Sequence, residues 1–372
     1  MTGAPRRALT VLHVDTERGW RGGEQHILWL AEALRRLGHT SLIAARPDEP
    51  LARRARERGF SILPVRPRTE LAPIAARHIH RAIDRDAIDV VHAHTAHAVA
   101  LGGLAVRRTA ARLVVTRHID FTLQTNPFSR WKYGRASAII AVSEGVARSL
   151  SASGIGASRV TVIPGGVDLH HVQSPASDET LRILGVPLDA PLVVLVAALV
   201  PQKDPVTFVR AMALARQRVP GAHALIVGEG PLRRDVEAVA SSLGASDAIH
   251  FAGYRDDADT LLARATVVAL SSRNEGLPVV LMNALALGKP IAATAAGGIP
   301  EMITRGQCGI VVPVGDAAAL GDAIARLLED SALRARFGAA ARAHAAEYSI
   351  DRVAELTVAV YRRTIERTSA VE

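Results

Sequence analysis

The chain has 372 residues, 49% hydrophobic and 22% charged but only 3% aromatic, which predicts two domains of about equal size with cores of Ala, Val, Leu and Ile. This composition argues against disorder, and the longest uninterrupted apolar run, nine residues from Leu192 to Val200, falls far short of the roughly 20 needed to cross a bilayer. The net charge of +9 sits in the first half, with 25 Lys+Arg against 14 Asp+Glu up to residue 170 and 20 against 22 beyond it.

Almost all of that positive charge is arginine, clustered at Arg53, Arg54, Arg56 and Arg58 and at Arg107 and Arg108. Such a half suits an anionic lipid surface or a phosphorylated substrate, and it equally suits the solvated face of helices. Nucleic acid is not expected, because no recognition motif with interleaved aromatics accompanies the arginines. The lone Cys308 excludes an internal disulfide and a multi-cysteine metal site. Arg6 and Arg7 precede an apolar stretch, but His13 and Asp15 break it and no small-residue cleavage site follows, so a cytoplasmic protein is expected.

In chain order, apolar β-rich runs alternate with amphipathic helical stretches, the pattern of parallel sheets covered on both faces. Strands are expected at 8–14, 40–44, 61–65, 90–93, 113–116 and 138–141, with helices at 24–37 and 51–58 among the first of them. Gly38 and Gly59 follow those helices and supply a left-handed stop. The segment 160–177, with Pro164, Gly165 and Gly166, breaks the periodicity and reads as an interdomain linker. Strands restart at 192–197, 222–227, 249–251, 267–270, 290–293 and 309–312, and the chain is then helical from Asp316 to about Arg367. The two halves read as two copies of one architecture, and a ligand is expected in the crevice facing the carboxyl ends of their strands.

The first strand runs into a loop that ends Gly22-Gly23-Glu24, so a glycine pair opens the first helix and its amides can face an anion. In the second half Lys203 follows a strand and the turn Pro201-Gln202, and Gly228-Glu229-Gly230-Pro231 ends the next strand. Within 271–284 a strand ends, Glu275 projects beyond it, and Pro278 stands as the first helical residue before Val279 and Val280. Free amides at that positive helix end suit a diphosphate. Asn283, eight residues after Glu275, is within reach of a hydroxyl on the same ligand.

These features resemble the retaining glycosyltransferases of family 4, and the resemblance extends over nearly the whole chain. It is carried by Gly22-Gly23, Asp89-Val90-Val91-His92-Ala93-His94, Thr116-Arg117-His118, Ala141-Val142-Ser143-Glu144 and Pro164-Gly165-Gly166-Val167-Asp168. Further along come Val200-Pro201-Gln202-Lys203, Gly228-Glu229-Gly230-Pro231, Glu275-Gly276-Leu277-Pro278 and Gly297-Gly298-Ile299-Pro300-Glu301. The resemblance implies the GT-B fold, two Rossmann-like α/β/α domains facing a central cleft. It assigns 1–170 to the acceptor, 171–348 to a nucleotide-activated sugar, and 349–372 to a helix crossing back to the first domain. Lys203 then neutralises the leaving diphosphate, Glu275 holds the donor sugar, and His118 is the histidine near sugar and phosphate. Gly22, Gly23, Gly228, Gly276, Leu277 and Val279 approach the donor, Arg255 lies by the nucleotide base, and His94 and Arg117 face the acceptor.

Two positions depart from the family pattern. The second acid of its Glu-x7-Glu motif is Asn283, which can hydrogen-bond a hydroxyl without charge assistance. The usual arginine a few residues before the lysine is Ala198, with Arg273 or Arg117 as substitutes. Asp256-Asp257-Ala258-Asp259 and Asp84-Arg85-Asp86 could mark a metal-bound nucleotide, but both lie beside helices rather than at a strand end. His92, His94 and His97 could mark zinc, yet no third ligand is secured by spacing, and strand-end burial explains them better. The expectation is a metal-independent transferase without a cofactor, acting on a glycan or lipid-linked acceptor of cell-envelope polysaccharide or lipopolysaccharide synthesis, peripheral at an anionic membrane face. The alternatives are a weakened nucleotide-sugar-binding scaffold and a sugar-nucleotide epimerase of the same architecture.

Overall fold

The structure, a computed structural model, describes residues 7–118, 123, 126–169 and 174–369. Arg6, residues 370–372 and the boundary expected between 170 and 171 lie outside the described residues. Packing divides the chain into two units, one ending at Val167 and resuming at Ser349, the other spanning Asp168–Tyr348.

The first unit holds a parallel sheet of seven strands: β1 (Thr10–Val14), β2 (Thr40–Ala45), β3 (Ser61–Pro64), β4 (Val90–Ala93), β5 (Arg112–Arg117), β6 (Ala138–Ala141) and β7 (Val160–Val162). Their order is β3-β2-β1-β4-β5-β6-β7, so the winding reverses between β1 and β4. The connecting helices are α1 (Gly22–Arg36), α2 (Pro50–Glu57), α3 (Pro73–Arg85), α4 (Ala96–Ala105), α5 (Pro127–Gly134) and α6 (Glu144–Ala152). Ile27, Leu28 and Ala31 of α1 pack on Ile43 and Ala45 of β2 with Leu51, Ala52, Ala55 and Phe60. Burying each Ile, Leu or Phe contributes about 1.5–3 kcal/mol, which is what commits these amphipathic stretches to helix and strand.

The second unit repeats the plan with six parallel strands: β8 (Leu192–Val196), β9 (His223–Val227), β10 (Ile249–Gly253), β11 (Val267–Leu270), β12 (Ile291–Thr294) and β13 (Gly309–Val312). The order β10-β9-β8-β11-β12-β13 places the reversal between β8 and β11. Its helices are α7 (Asp178–Ile183), α8 (Pro205–Arg218), α9 (Arg233–Ser242), α10 (Ala258–Ala263), α11 (Val279–Ala286), α12 (Ile299–Gly306), α13 (Ala317–Glu329) and α14 (Ser331–Ala345).

Two expectations are corrected. The first three residues of the supposed linker are β7, because Val160, Thr161 and Val162 are β-branched and pair with Ile139, Ile140 and Ala141. Three residues are too short a run to register as periodicity beside the glycines that follow. The helical last third is broken at Asp330, whose carboxylate accepts the Leu333 N–H at 2.8 Å and so caps α14. It breaks again at Ser349, where α15 (Ile350–Ser369) joins the first unit, packing on α1 and placing Tyr361 and Thr357 in its interior. No helix of the described residues is long and apolar enough to cross a membrane.

Candidate active site

In the second unit β8 and β11 are neighbours at the reversal of strand order, the place in an open α/β sheet where ligands bind beyond the carboxyl ends of the strands. Lys203 lies in the loop after β8 and Glu275 in the loop after β11. The ammonium and the buried carboxylate form a direct ion pair, and the same carboxylate oxygen accepts from Ser272 Oγ at 2.6 Å. The backbone holds the two loops together. Arg273 N donates to Gln202 O at 2.8 Å, Gln202 Nε2 to Asn274 O at 3.0 Å, and Ser271 Oγ to Asp204 O at 2.8 Å. Arg273 Nε pairs with Asp204 Oδ2 at 2.8 Å while the side chain stays exposed, so a second cation sits beside Lys203. Of the two substitutes for the arginine replaced by Ala198, Arg273 shares this unit, whereas Arg117 belongs to the first.

Glu275 is pinned from behind. Gly297 has φ +53°, and a Cβ on it would stand 1.6 Å from Glu275 O, so only glycine fits. Gly228 (φ +146°) makes a similar approach, its Cβ position 2.0 Å from Ala197 O at the exit of β8. Gly297→Ala is therefore expected to push the Glu275 loop outward, lowering stability by roughly 2–4 kcal/mol. Urea titration of the variant checks this, and an unchanged midpoint would refute it.

Pro278 proves to be the N-cap of α11 rather than its first residue, and the first intrahelical bond runs from Leu281 N to Pro278 O. The amides of Val279 and Val280 thus precede that bond at the positive helix end. Gly276 is buried, its carbonyl accepting from Gly298 N at 2.9 Å, and Leu277 is half-buried beside it. Asn283 Nδ2 donates to Asp259 Oδ1 at 2.7 Å, which sets a carboxylate next to the amide that replaces the motif's second acid. Arg255 is held by Asp257 through two bonds of 2.7 and 2.8 Å. Asp257 and Asp259, two of the acids weighed above for a metal-bound nucleotide, are thus engaged by nitrogen donors of their own unit.

In the first unit Gly22 and Gly23 do open α1, but the buried Glu24 carboxylate accepts the Arg21 N–H at 2.8 Å and occupies part of the helix end. Burial raises Glu24, and burial with the neighbouring Glu24 charge pushes Asp15 up to about 7. His94 lies in a histidine cluster at the sheet's carboxyl edge, because His13 of β1 sits in register with His92 of β4 and all three face one side. His13 Nδ1 is 3.1 Å from His94 Nε2, and His92 bonds Tyr361 Oη and Thr116 Oγ1 at 2.7 Å each. The third histidine near His92 and His94 is thus His13 and not His97, which turns to Glu17 at 3.8 Å. Register across β1 and β4 is the signal that a linear reading lacked.

His118 is half-buried at the end of β5, its ring 5.4 Å from His26 and 6.0 Å from His94. Its Nε2 and the Nδ1 of His94 are shielded from solvent and without a hydrogen-bond partner among the described residues. Burial holds His13 and His118 down to about 3 and His26 to about 4, and carries His92 and His94 well below the usual histidine range. At neutral pH all five rings are uncharged. Arg117 Nη1 reaches Tyr133 Oη at 3.3 Å on a separate wall.

Comparison with known proteins agrees with this layout. Residues 20–171 match the family model described as Glycosyltransferase Family 4, and residues 177–344 the one described as Glycosyl transferases group 1. A GDP-mannose-dependent α-(1-6)-phosphatidylinositol monomannoside mannosyltransferase of Mycolicibacterium smegmatis is 31% identical over 290 residues, 73% of this chain and 75% of that protein. A D-inositol 3-phosphate glycosyltransferase of Salinispora arenicola is 34% identical over 221 residues, 55% of this chain and 49% of its own length. A lipopolysaccharide core biosynthesis glycosyltransferase of Rhizobium meliloti is 33% identical over 153 residues, 41% of this chain and 44% of that protein. The chain thus spans about half the length of these last two relatives. Among solved structures, a glycosyltransferase from Rickettsia africae superposes with a TM-score of 0.84 at 21% identity, covering 96% of this chain and 99% of that one. The Anabaena Alr3699/HepE protein in complex with UDP gives 0.81 at 22%, covering 95% and 100%. Both likenesses show the fold, which is GT-B. With two Rossmann-like units, family models matching each half, and a relative sharing three quarters of its length, the chain belongs to glycosyltransferase family 4.

Proposed function

We propose that this protein is a retaining glycosyltransferase that moves a sugar from a nucleoside diphosphate sugar to a hydroxyl of a glycan or lipid-linked acceptor. The reading is carried by the Lys203–Glu275 pair with Arg273 beside it, at the strand reversal of the second unit. Two cations and a helix N-terminus face the place where charge grows on a departing diphosphate. Glu275, fixed by Ser272, accepts hydrogen bonds from sugar hydroxyls once Lys203 turns to the phosphate. The Asn283–Asp259 pair offers a carboxylate and an amide to the nucleotide's ribose, and Arg255, with Tyr254 beside it, flanks the base. In the first unit we assign His118, whose Nε2 has no hydrogen-bond partner among the described residues, to the reacting sugar and phosphate, and His94 and Arg117 to the acceptor.

In the step itself the bond from the anomeric carbon to the phosphate oxygen breaks and the acceptor oxygen bonds that carbon from the same face. The acceptor proton passes to the leaving phosphate, so the protein positions groups and stabilises charge without a covalent intermediate. A metal is not required in this reading, because Lys203 and Arg273 supply the positive charge and the acids at 257 and 259 are held by Arg255 and Asn283. The weakened-scaffold alternative, motivated by Ala198 and Asn283, predicts instead nucleotide binding without turnover. UDP in the complexed neighbour and GDP-mannose in the mycobacterial relative's name support a nucleotide sugar donor. The lipopolysaccharide and phosphatidylinositol relatives support an envelope acceptor, and the arginine excess of the first half is the ground for a peripheral position at the inner face of the cytoplasmic membrane.

Thermal unfolding against a panel of sugar nucleotides, with chelator present, identifies the donor. A ligand at 100 times its dissociation constant stabilises by about 2.7 kcal/mol. Proton NMR of the product formed from that donor then reads the anomeric configuration. Retention is expected, and an inverted product, or donor conversion without any acceptor, would overturn the reading.

A further inference from the structure

The loops that leave β1, β2, β3 and β4 form an open concavity of about 270 Å3 in the first unit, and four arginines line it: Arg18, Arg21, Arg46 and Arg68. A single acid, Glu17, shares the lining and faces His97. Arg46 is fixed, donating from Nε to Thr16 O at 2.8 Å and from Nη2 to Pro67 O at 2.6 Å, and so ties the loop after β1 to the loop after β3. Its bonds make a preformed wall rather than a flexible surface charge. Arg18 and Arg68 are exposed and carry no ion pair among the described residues, whereas Arg58, Arg66 and Arg36 are matched to Glu32, Asp48 and Asp351. Four cations converging on one concavity repel one another until an anion joins them, and guanidinium forks suit a phosphate's oxygens better than any neutral group. The volume is just below that of common ligand pockets and has room for a phosphate with one sugar ring. A second cavity of about 260 Å3, lined by Glu70, Ala96, Asn126, Phe128, Ser129 and Lys132, draws on the same two chain segments, since Thr69 and His97 line the first.

We propose that the arginine-lined cavity binds a phosphate group on the acceptor, Arg18 and Arg68 closing on it against the fixed Arg46, with the remainder of the acceptor in the second cavity. The inference rests on the first unit being the acceptor unit. The phosphate can belong to a free sugar phosphate or to a lipid carrier's headgroup, and the chemistry of recognition is the same.

Calorimetry with the full chain separates these sources, using glucose 1-phosphate, glucose and inorganic phosphate in one arm. The other arm uses phosphatidylcholine vesicles with and without phosphatidic acid. The pair Arg18→Gln with Arg68→Gln is compared with a control pair of equal charge loss, Arg53→Gln with Arg107→Gln. Binding of the phosphate-bearing probe and not of glucose is expected, weakened about 30-fold by the first pair and within about twofold of wild type for the control. Loss in the glucose 1-phosphate arm assigns a free sugar phosphate, and loss in the vesicle arm alone assigns a lipid phosphate. Equal loss in both pairs, or no binding of either probe at low salt, overturns the proposal. Sugar-nucleotide thermal shifts run in parallel keep the two readings apart: a missing donor shift with phosphate binding intact would sink glycosyl transfer and leave the phosphate site standing.

Discussion

Lys203→Ala is expected to lower the single-turnover rate of sugar transfer by about 10²–10³-fold, the loss seen when one preorganised contact to developing transition-state charge is removed. The effect should fall on kcat more than on KM, because the diphosphate gains charge only as the glycosidic bond breaks. The same substitution leaves the buried Glu275 carboxylate with Ser272 as its one remaining contact on that oxygen. Breaking a fully buried pair costs about 3–5 kcal/mol, and because the Lys203 side chain is 23% exposed the loss here should be about 1–2 kcal/mol. Adding Glu275→Gln removes the stranded charge and should restore most of that stability while activity stays low. Stopped-assay turnover and urea midpoints of the three proteins test both halves, and wild-type turnover in Lys203→Ala would remove the lysine from the mechanism.

The second large effect is acid unfolding of the first unit. His13, His26, His92 and His94 are buried and uncharged, with His118 beside them and His39 shifted in the same direction. Their folded pKa values lie below the unfolded value of about 6.5, so the stability they permit is complete above that pH and is lost as pH falls toward 4 and 3. Each costs about 1.4 kcal/mol per pH unit in that window. Asp15 and Glu24 act oppositely, since their raised values let the native state hold protons that the unfolded chain releases. The histidines outnumber these two acids, so unfolding takes up protons on balance below about pH 6.5 and the first unit should lose stability as the pH falls. Trp20, Trp29 and Trp131 all lie in the first unit, so intrinsic tryptophan fluorescence against pH reports it alone. A constant urea midpoint between pH 7 and 5 would contradict the argument.

Much was legible from residues alone because two periodicities, Gly stops and a run of motifs repeat along the chain. Strands at 90–93, 138–141, 267–270 and 309–312 follow from short apolar runs bounded by turn residues, and they occur as read. The Glu275 segment could be placed at a strand end and helix start because Pro278 and the apolar run before it fix both local conformations. The identity of the family rested on the same residues.

What the sequence determined, then, was everything set by neighbours in the chain: element type, helix starts and stops, the excess of arginine in the first half, and the motif order. Tertiary structure decided which distant residues meet. Parallel pairing put His13 against His92 across 79 positions of sequence, and the reversal of strand order put Lys203 against Glu275. Gly297 behind Glu275, Asp259 on Asn283, Tyr361 on His92 and Arg46 across two loops are likewise contacts between separate elements. None has a local signature, because a side chain's partner across a sheet or loop is fixed by register and packing, and those are properties of the whole sheet rather than of any segment within it.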